Sequence, residues 1–341
     1  MKKVLVTGGC GFVGGNAAAR LLELGIEVAV LDNLSRQGTA DNLQWLRGLG
    51  LRQFIHADTR LASDLDEAVR QFAPDAIFHL AGQVAMTTSM ANPRRDFETN
   101  VVGSINLLEA VRRHCPEAVI VYSSSNKVYG DLAGLDLQEE RLRYSSPSHP
   151  RGITESSPLD FQTPYGCSKG AADQYMLDYA RVYGLNTIVF RHSTIYGGRQ
   201  HATFDQGWVG WFCRQGLETV QNPARDAFTI SGDGKQVRDL LFVEDTVNCY
   251  LAAATNFAKA RGQAFNIGGG IENSCSLLEL FEIVEQRLGV KLNYRKLDWR
   301  HSDQKFFVAD CAKAERCFGW KPTTSRAAGI DATLDWVRKT L

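Results

Sequence analysis

The chain has 341 residues, 44% hydrophobic and 22% charged, an ordinary globular composition with length for one large domain or two modest ones. Lysine plus arginine and aspartate plus glutamate number 38 each, so the formal net charge is zero and no nucleic-acid partner is expected. No apolar run approaches the roughly 18 residues that span a bilayer, so no membrane partner is expected either.

Met1–Gly8 looks superficially like the start of a signal peptide, but its apolar stretch breaks into glycines after three residues. Val4–Thr7 therefore reads as a strand, and Phe12–Leu24 as a helix ended by Gly25. Glu27–Leu31 is the next strand, followed by a helical stretch around Asn42–Leu49 and a strand at Gln53–His56. Helix Leu61–Phe72, strand Ala76–Leu80, helix Phe97–His114 and strand Val119–Tyr122 continue the alternation. Helix Pro164–Tyr183 and strand Thr187–Phe190 complete it. Short apolar strands alternating with helices predict an α/β fold, a doubly wound parallel Rossmann sheet covered on both faces.

After Tyr196 the pattern loosens, apart from a helical Asp239–Asn256 and a strand Ala264–Ile267 that closes on three glycines. The expectation is a Rossmann domain of residues 1–196 and 239–271, with a smaller, discontinuous C-terminal substrate lobe of residues 197–238 and 272–341. A ligand then belongs between them, beyond the carboxyl ends of the strands. Eight cysteines are scattered without C-x-x-C pairs, which predicts reduced thiols, a cytoplasmic location and no metal. Cys167 reads as a small buried filler.

Gly8, Gly11 and Gly14 follow the first strand and open the first helix, permitting a tight turn and an anion at the helix N-terminus. Asp32 ends the second strand. A carboxylate there accepts both ribose hydroxyls and repels a 2′-phosphate, favouring NAD over NADP. Arg36 nearby can soften that preference, and Asp58, after the third strand, is placed for the adenine edge.

Tyr165 and Lys169 form Y-x-x-x-K, with Thr163 as N-cap and Pro164 at the first helical position. The spacing puts both side chains on one helix face. A neighbouring ammonium favours phenolate, so the tyrosine pKa is expected below its ordinary value of about 10, making Tyr165 an acid/base for a sugar hydroxyl. Lys169 can also hold the cofactor ribose. The serine run Ser123-Ser124-Ser125 ends a strand at the cleft, and the Ser125 hydroxyl is placed to share a hydrogen bond with the reacting oxygen.

These residues, with His79–Gly82 and Val237–Asp239, resemble the extended short-chain dehydrogenase/reductases over essentially the whole chain. Within that superfamily the stretches Gln83–Ser89, Ser125–Gly130, Tyr165–Tyr175, Arg191–Ser193, Gly197–Gln200 and Asp205–Phe212 resemble the CDP-paratose (CDP-tyvelose) 2-epimerases. Dehydratases of the superfamily carry an Asp-Glu pair where this chain has Asn126 and Lys127, so elimination chemistry lacks its acid and base. The 2-epimerases often carry Thr at the position of Ser125, and either residue supplies the hydroxyl.

The resemblance implies an isomerase with NAD as cofactor and a catalytic set of Tyr165, Lys169 and Ser125. Its reaction would be transient oxidation of a CDP-hexose at C2 to a 2-ketosugar, turning of the sugar, and re-reduction. The pair would be CDP-paratose and CDP-tyvelose, or a similar pair such as CDP-glucose and CDP-mannose. Further cofactor contacts are implied for Phe12, Val13, Asn33, Ser35, Leu80, Ala81, Gln83, Asn100, Ser123 and His192. Arg238 and Arg300 resemble diphosphate anchors, with Arg199 a weaker candidate. Gln83, Asn126, Lys127, Ser193 and Asp303 join the substrate side. Gln206, Gly207, Trp208 and Val209 are expected along the nucleotide pocket, with Thr229 near the base; the aromatic stripe Trp208, Trp211 and Phe212 equally fits helix packing. Rival readings are a UDP-hexose 4-epimerase and an NAD-binding regulatory protein without turnover. The intact Tyr165/Lys169/Ser125 set argues against the second, and spacing does not choose between C2 and C4. A homo-oligomer is expected, as is common in the superfamily.

Overall fold

The computed structural model describes all residues from Met1 to Leu341. The chain begins with β1 (Lys3–Thr7), α1 (Phe12–Glu23), β2 (Glu27–Asp32), α2 (Thr39–Gly48), β3 (Gln53–His56) and α3 (Ala62–Phe72). After β4 (Ala76–His79) come α4 (Met86–Ala91), α5 (Pro93–Asp96) and a π-helical turn (Phe97–Val102) that runs into α6 (Gly103–His114). β5 (Val119–Ser123) leads through a 3-10 turn (Asn126–Tyr129) to the short strands β6 (Gln138–Glu139) and β7 (Tyr144–Ser145). Then follow α7 (Thr163–Tyr183), β8 (Asn186–His192), β9 (Thr194–Tyr196), α8 (Trp208–Gln221) and β10 (Phe228–Ser231). Next are β11 (Val237–Phe242), α9 (Val243–Thr255), α10 (Phe257–Ala260), β12 (Gln263–Ile267) and β13 (Ser274–Ser276). The chain ends with α11 (Leu277–Leu288), β14 (Tyr294–Leu297), β15 (Phe306–Phe307), α12 (Ala312–Phe318) and α13 (Arg326–Thr340).

Seven parallel strands form the central sheet in the order β12-β8-β5-β4-β1-β2-β3, the doubly wound arrangement expected from the sequence. The chain winds outward on both sides of β1 and β4, and such a reversal leaves a crevice at the carboxyl ends of those strands. The two-residue period of the strands explains why both faces are covered. Val4 and Val6 pack with α1 and α9 on one face, while Leu5 packs with α3 and α6 on the other. All three are fully buried, and such burial stabilises by roughly 1.5–3 kcal/mol per side chain. No helix is long and apolar enough to cross a membrane.

The second half builds its own core. β11 pairs with β9, β13 and β15, and α8, α11 and α13 close around Phe212, Phe281 and Leu334. Here the structure departs from the expected single helix Asp239–Asn256. Val237–Phe242 is a strand and the helix starts only at Val243. The partners of β11 come from three distant segments, which helical periodicity in one window does not register. The strand also runs across the expected boundary between residues 238 and 239.

Candidate active site

The crevice is one cavity of about 860 Å³, lined at one end by Gly8 and Cys10–Gly14 and at the other by Arg238, Arg300 and Asp303. β1 delivers Gly8 in a left-handed conformation with φ 66°, and a Cβ on Gly14 would lie 2.2 Å from the Gly8 carbonyl oxygen. The tight turn and the close seat of α1 therefore both depend on glycine. No side chain caps the start of α1, and its first turn holds no acidic residue. Gly11, Phe12, Val13 and Gly14 line the cavity there, so the open N–H groups of the first turn suit a diphosphate.

Asp32, at the end of β2, accepts from Leu34 N at 2.8 Å and Cys10 N at 3.0 Å. Burial raises its pKa, and these two N–H groups act against the rise. Its place beside the glycine loop suits an adenosine ribose. Asp58 accepts from Arg60 Nη2 at 2.7 Å and Asn33 Nδ2 at 3.1 Å, and the arginine holds its pKa to about 2. Asn33, Ser35 and Arg36 complete this wall. The residues at this end fit NAD.

α7 presents the reacting groups. The helix starts at Thr163 with Gln162 at the N-cap position, one residue earlier than expected, and Thr163 Oγ1 accepts from Gly166 N at 3.3 Å within the first turn. Tyr165 and Lys169 are 8% and 4% exposed. The Lys169 ammonium donates to the Ser123 carbonyl at 2.7 Å and sits 5.0 Å from the centre of the Tyr122 ring. Burial lowers its pKa to about 8, against the pull of Asp96 and Asp173. Lys169 does not depress the tyrosine as expected. Burial pushes Tyr165 up to about 12, and the groups that pull it down are the Ser125 hydroxyl and Arg36. The lysine charge is directed at a carbonyl, while desolvation of the phenolate dominates.

Each serine of the run has its own partner. Ser123 Oγ lies 2.7 Å from His192 Nε2, and Ser125 Oγ accepts from Lys127 N at 3.2 Å. Ser124 Oγ donates to Asp173 Oδ2 at 2.7 Å. Asp173 in turn is held by both arms of Arg191, at 2.8 and 2.9 Å, in a fully buried ion pair. Asp173 stands four residues after Lys169 on α7, so the acid/base helix and the serine run are locked together. Sequence reading missed it, although its helical spacing from Lys169 was visible.

At the substrate end Arg238 Nη2 donates to Asp303 Oδ1 at 2.7 Å, and Lys127 Nζ lies 3.5 Å from the same oxygen. Arg300 Nε donates to Ser231 Oγ at 3.3 Å. Asn126 Nδ2 donates to Gln304 Oε1 at 2.6 Å, a partner not foreseen. Leu80, Ala81, Ser193, Gln206, Gly207, Trp208 and Thr229 also line the cavity.

Not every candidate reaches the wall. Val209 is fully buried in the second core. Asn100 and Lys169 sit behind the surface: Asn100 clasps Gln83 by its backbone N and O at 2.9 and 3.0 Å. Gln83 lines the cavity, but its amide is engaged with Ala85 and, at 2.9 Å, with Asp96 Oδ1. Arg199 lines the cavity with its guanidinium stacked between the rings of Trp45 and Trp336, at 4.1 and 4.9 Å. Cys167 is exposed rather than a buried filler. The structure adds Met86, Thr88, Arg95, Asp205, Gln236 and His301 to the lining. Of these, Met86, Thr88 and Asp205 lie inside stretches that carried the resemblance, and the other three had no spacing signal.

The whole chain is similar to known proteins. CDP-paratose 2-epimerase of Salmonella typhi is 54% identical over 334 residues, covering 98% of each chain, so the resemblance read from the sequence holds. UDP-glucose 4-epimerase of Thermotoga maritima, solved with UDP-glucose, is 28% identical with a TM-score of 0.84, covering 99% of both chains. UDP-glucose 4-epimerase of Thermus thermophilus, solved with NAD, is 28% identical with a TM-score of 0.82, covering 99% of this chain and 100% of that one. A model of the NAD dependent epimerase/dehydratase family matches residues 4–268, from β1 through the glycine loop and α7 to the end of β12, and the chain belongs to that family.

Proposed function

We propose that the chain is an NAD-dependent CDP-hexose 2-epimerase that interconverts CDP-paratose and CDP-tyvelose. The observation that carries this reading is the 54% identity to the Salmonella enzyme across 98% of both chains, against 28–31% for the UDP-glucose 4-epimerases. One continuous cavity, with a cofactor cradle at one end and an arginine-rich group at the other, supports it.

Bound NAD supplies the two-electron acceptor and donor that inversion of a non-acidic carbon requires. The chain's own residues handle the proton and the charge. Tyr165 removes the proton of the C2 hydroxyl as phenolate and returns it after the sugar has turned. In the free protein the single Ser125 O–H, with Arg36, favours the phenolate that burial disfavours, and with the sugar bound that O–H turns to the same C2 oxygen. Lys169 secures the strand end that carries Ser125, through the Ser123 carbonyl. Arg238 and Arg300 hold the diphosphate while the hexose turns, because guanidinium forks match phosphate oxygens.

In this reading residues 1–196 and 239–271 hold the cofactor, and residues 197–238 and 272–341 hold the nucleotide sugar. Copies of the chain pair through α6 and α7, where Tyr175, Val182 and Tyr183 stand exposed. The test is incubation of the purified protein with CDP-, UDP- and GDP-hexoses, with products identified by NMR. Inversion at C2 of a CDP-sugar is the expected result. Inversion at C4 of a UDP-hexose, or no turnover of any, overturns the reading.

A further inference from the structure

We propose that Lys127 is a third diphosphate-binding cation, reaching the phosphates of a nucleoside diphosphate beside Arg238 and Arg300. This rests on the reading that the cavity takes a nucleotide sugar, and it assigns Lys127 to the diphosphate rather than to the hexose.

Three elements bring the group together: Lys127 from the 3-10 turn after β5, Arg238 from β11, and Arg300 with Asp303 from the segment after β14. All four line the same cavity. The side chains of Lys127, Arg238 and Asp303 are only 15%, 11% and 18% exposed. Asp303 is the sole carboxylate among them, and its Oδ1 is shared by Arg238 at 2.7 Å and Lys127 at 3.5 Å. Asp239, next to Arg238 on β11, is fully buried and turned to Ala309 N at 3.0 Å.

Three cations against one carboxylate leave an excess of two positive charges in a half-closed pocket. A partly buried positive charge without a counter-ion is costly. A diphosphate linking nucleoside and sugar carries two negative charges and restores neutrality. The Lys127 ammonium has three N–H donors. One is given to the Ser302 carbonyl at 3.2 Å and one is directed at Asp303, which leaves one for a phosphate oxygen. Ser302 itself is left-handed, with φ 54°. The pKa agrees with crowding of like charges: burial first, then Arg238 and Arg300, lowers Lys127 to about 8 against the pull of Asp303.

The experiment is calorimetric titration of the protein, with its cofactor bound, by CDP and by cytidine. It compares the wild type with Lys127→Gln, which keeps a donor for Ser302 but no charge, and with Lys127→Arg. Lys127→Gln should weaken CDP by about tenfold or more and leave cytidine unchanged, the range of one charge-assisted contact. Lys127→Arg should bind CDP within about threefold of wild type. Lys127→Met replaces the glutamine variant if circular dichroism shows that it does not fold. The assignment is overturned if the uncharged variant binds CDP as wild type does, if it loses cytidine equally, or if Lys127→Arg falls as far. If the wild type binds no CDP at all, the functional reading itself fails, which is a separate outcome.

Discussion

Tyr165 and Lys169 share one face of α7, yet the lysine ammonium is fixed 2.7 Å from the Ser123 carbonyl and the tyrosine is left with a pKa pushed up to about 12. The pair is therefore not a simple ammonium–phenolate couple in the free protein. The lysine holds the strand end, and the tyrosine depends on Ser125 and Arg36 to ionise. Tyr165→Phe removes the proton acceptor and keeps the shape of the helix. Turnover should fall by about 10²–10⁴-fold while the protein still co-purifies with NAD. A variant that turns over at a near-normal rate assigns the acid/base role elsewhere.

Two histidines, His79 buried behind the site and His192 on the cavity wall, make stability depend on acid. His79 lies between Thr7 Oγ1 at 2.7 Å and Ser104 Oγ at 3.1 Å, and His192 lies against Ser123. Burial, with the Lys169 charge, lowers both to about 3 from an ordinary 6.5. The unfolded chain thus takes up these protons first as pH falls. Their contribution is complete above about pH 6.5 and declines toward pH 3, by up to about 1.4 kcal/mol per pH unit for each ring. Urea midpoints should drop between pH 6.5 and 4. Midpoints that stay level across that range show that the folded protein accepts the protons.

How much of this was legible in the sequence follows from how local each feature is. The glycine loop and Y-x-x-x-K are set by spacings of three or four residues within one element, and both lie where the pattern put them. β11 was misread because its partners arrive from residues 194–196, 274–276 and 306–307. α8 lies in the stretch after Tyr196 where the pattern loosens, and its aromatic stripe does both things the spacing allows: Phe212 is buried in the helix packing while Trp208 and Trp211 reach the cavity. Lys127 and Asp303 are 176 residues apart, and Asn126 and Gln304 are 178 apart, so no window contains either pair. The pKa of Tyr165 was misjudged for the same reason. Spacing showed the ammonium but not the burial.

Arg238 and Arg300 approach the cavity from different elements, so their losses should be separable. Replacing either with Ala removes a guanidinium from the diphosphate and should raise KM for the nucleotide sugar by about 10–100-fold, with a smaller change in kcat. Arg238→Ala should be the more severe, because it also strips Asp303 of its 2.7 Å partner and leaves a half-buried carboxylate less compensated. Steady-state kinetics on both variants settle this. An unchanged KM in both removes them from the site.

The chemistry at C2 can be read from isotopes. If two electrons leave with the hydrogen of C2, that hydrogen never exchanges with solvent, because Tyr165 handles only the hydroxyl proton. Product formed in deuterated water should carry no deuterium on carbon. Mass spectrometry of the recovered sugar makes the comparison, and carbon-bound label at C2 would point to deprotonation of that carbon instead.

Gly14 gives the sharpest test of the cofactor cradle, because its neighbours are backbone. A Cβ there would meet Gly8 O at 2.2 Å, Gly9 Cα at 2.7 Å and Gly8 C at 2.9 Å, none of which can rotate aside. Gly14→Ala must therefore push α1 away from the loop, at a cost of about 1–3 kcal/mol for overpacking. It also moves the N–H groups of Phe12 and Val13 out of register with any diphosphate. The expected result is a lower Tm together with little or no NAD released on denaturation. Gly48→Ala is the control. It lies in α2, where a Cβ meets nothing within 4 Å, and helix propensity alone should leave the variant as stable as wild type or more so, by up to about 1 kcal/mol. A Gly14→Ala protein that matched this control in both Tm and NAD content would show that the loop yields without cost, and the cradle would have to be sought elsewhere on the cavity wall.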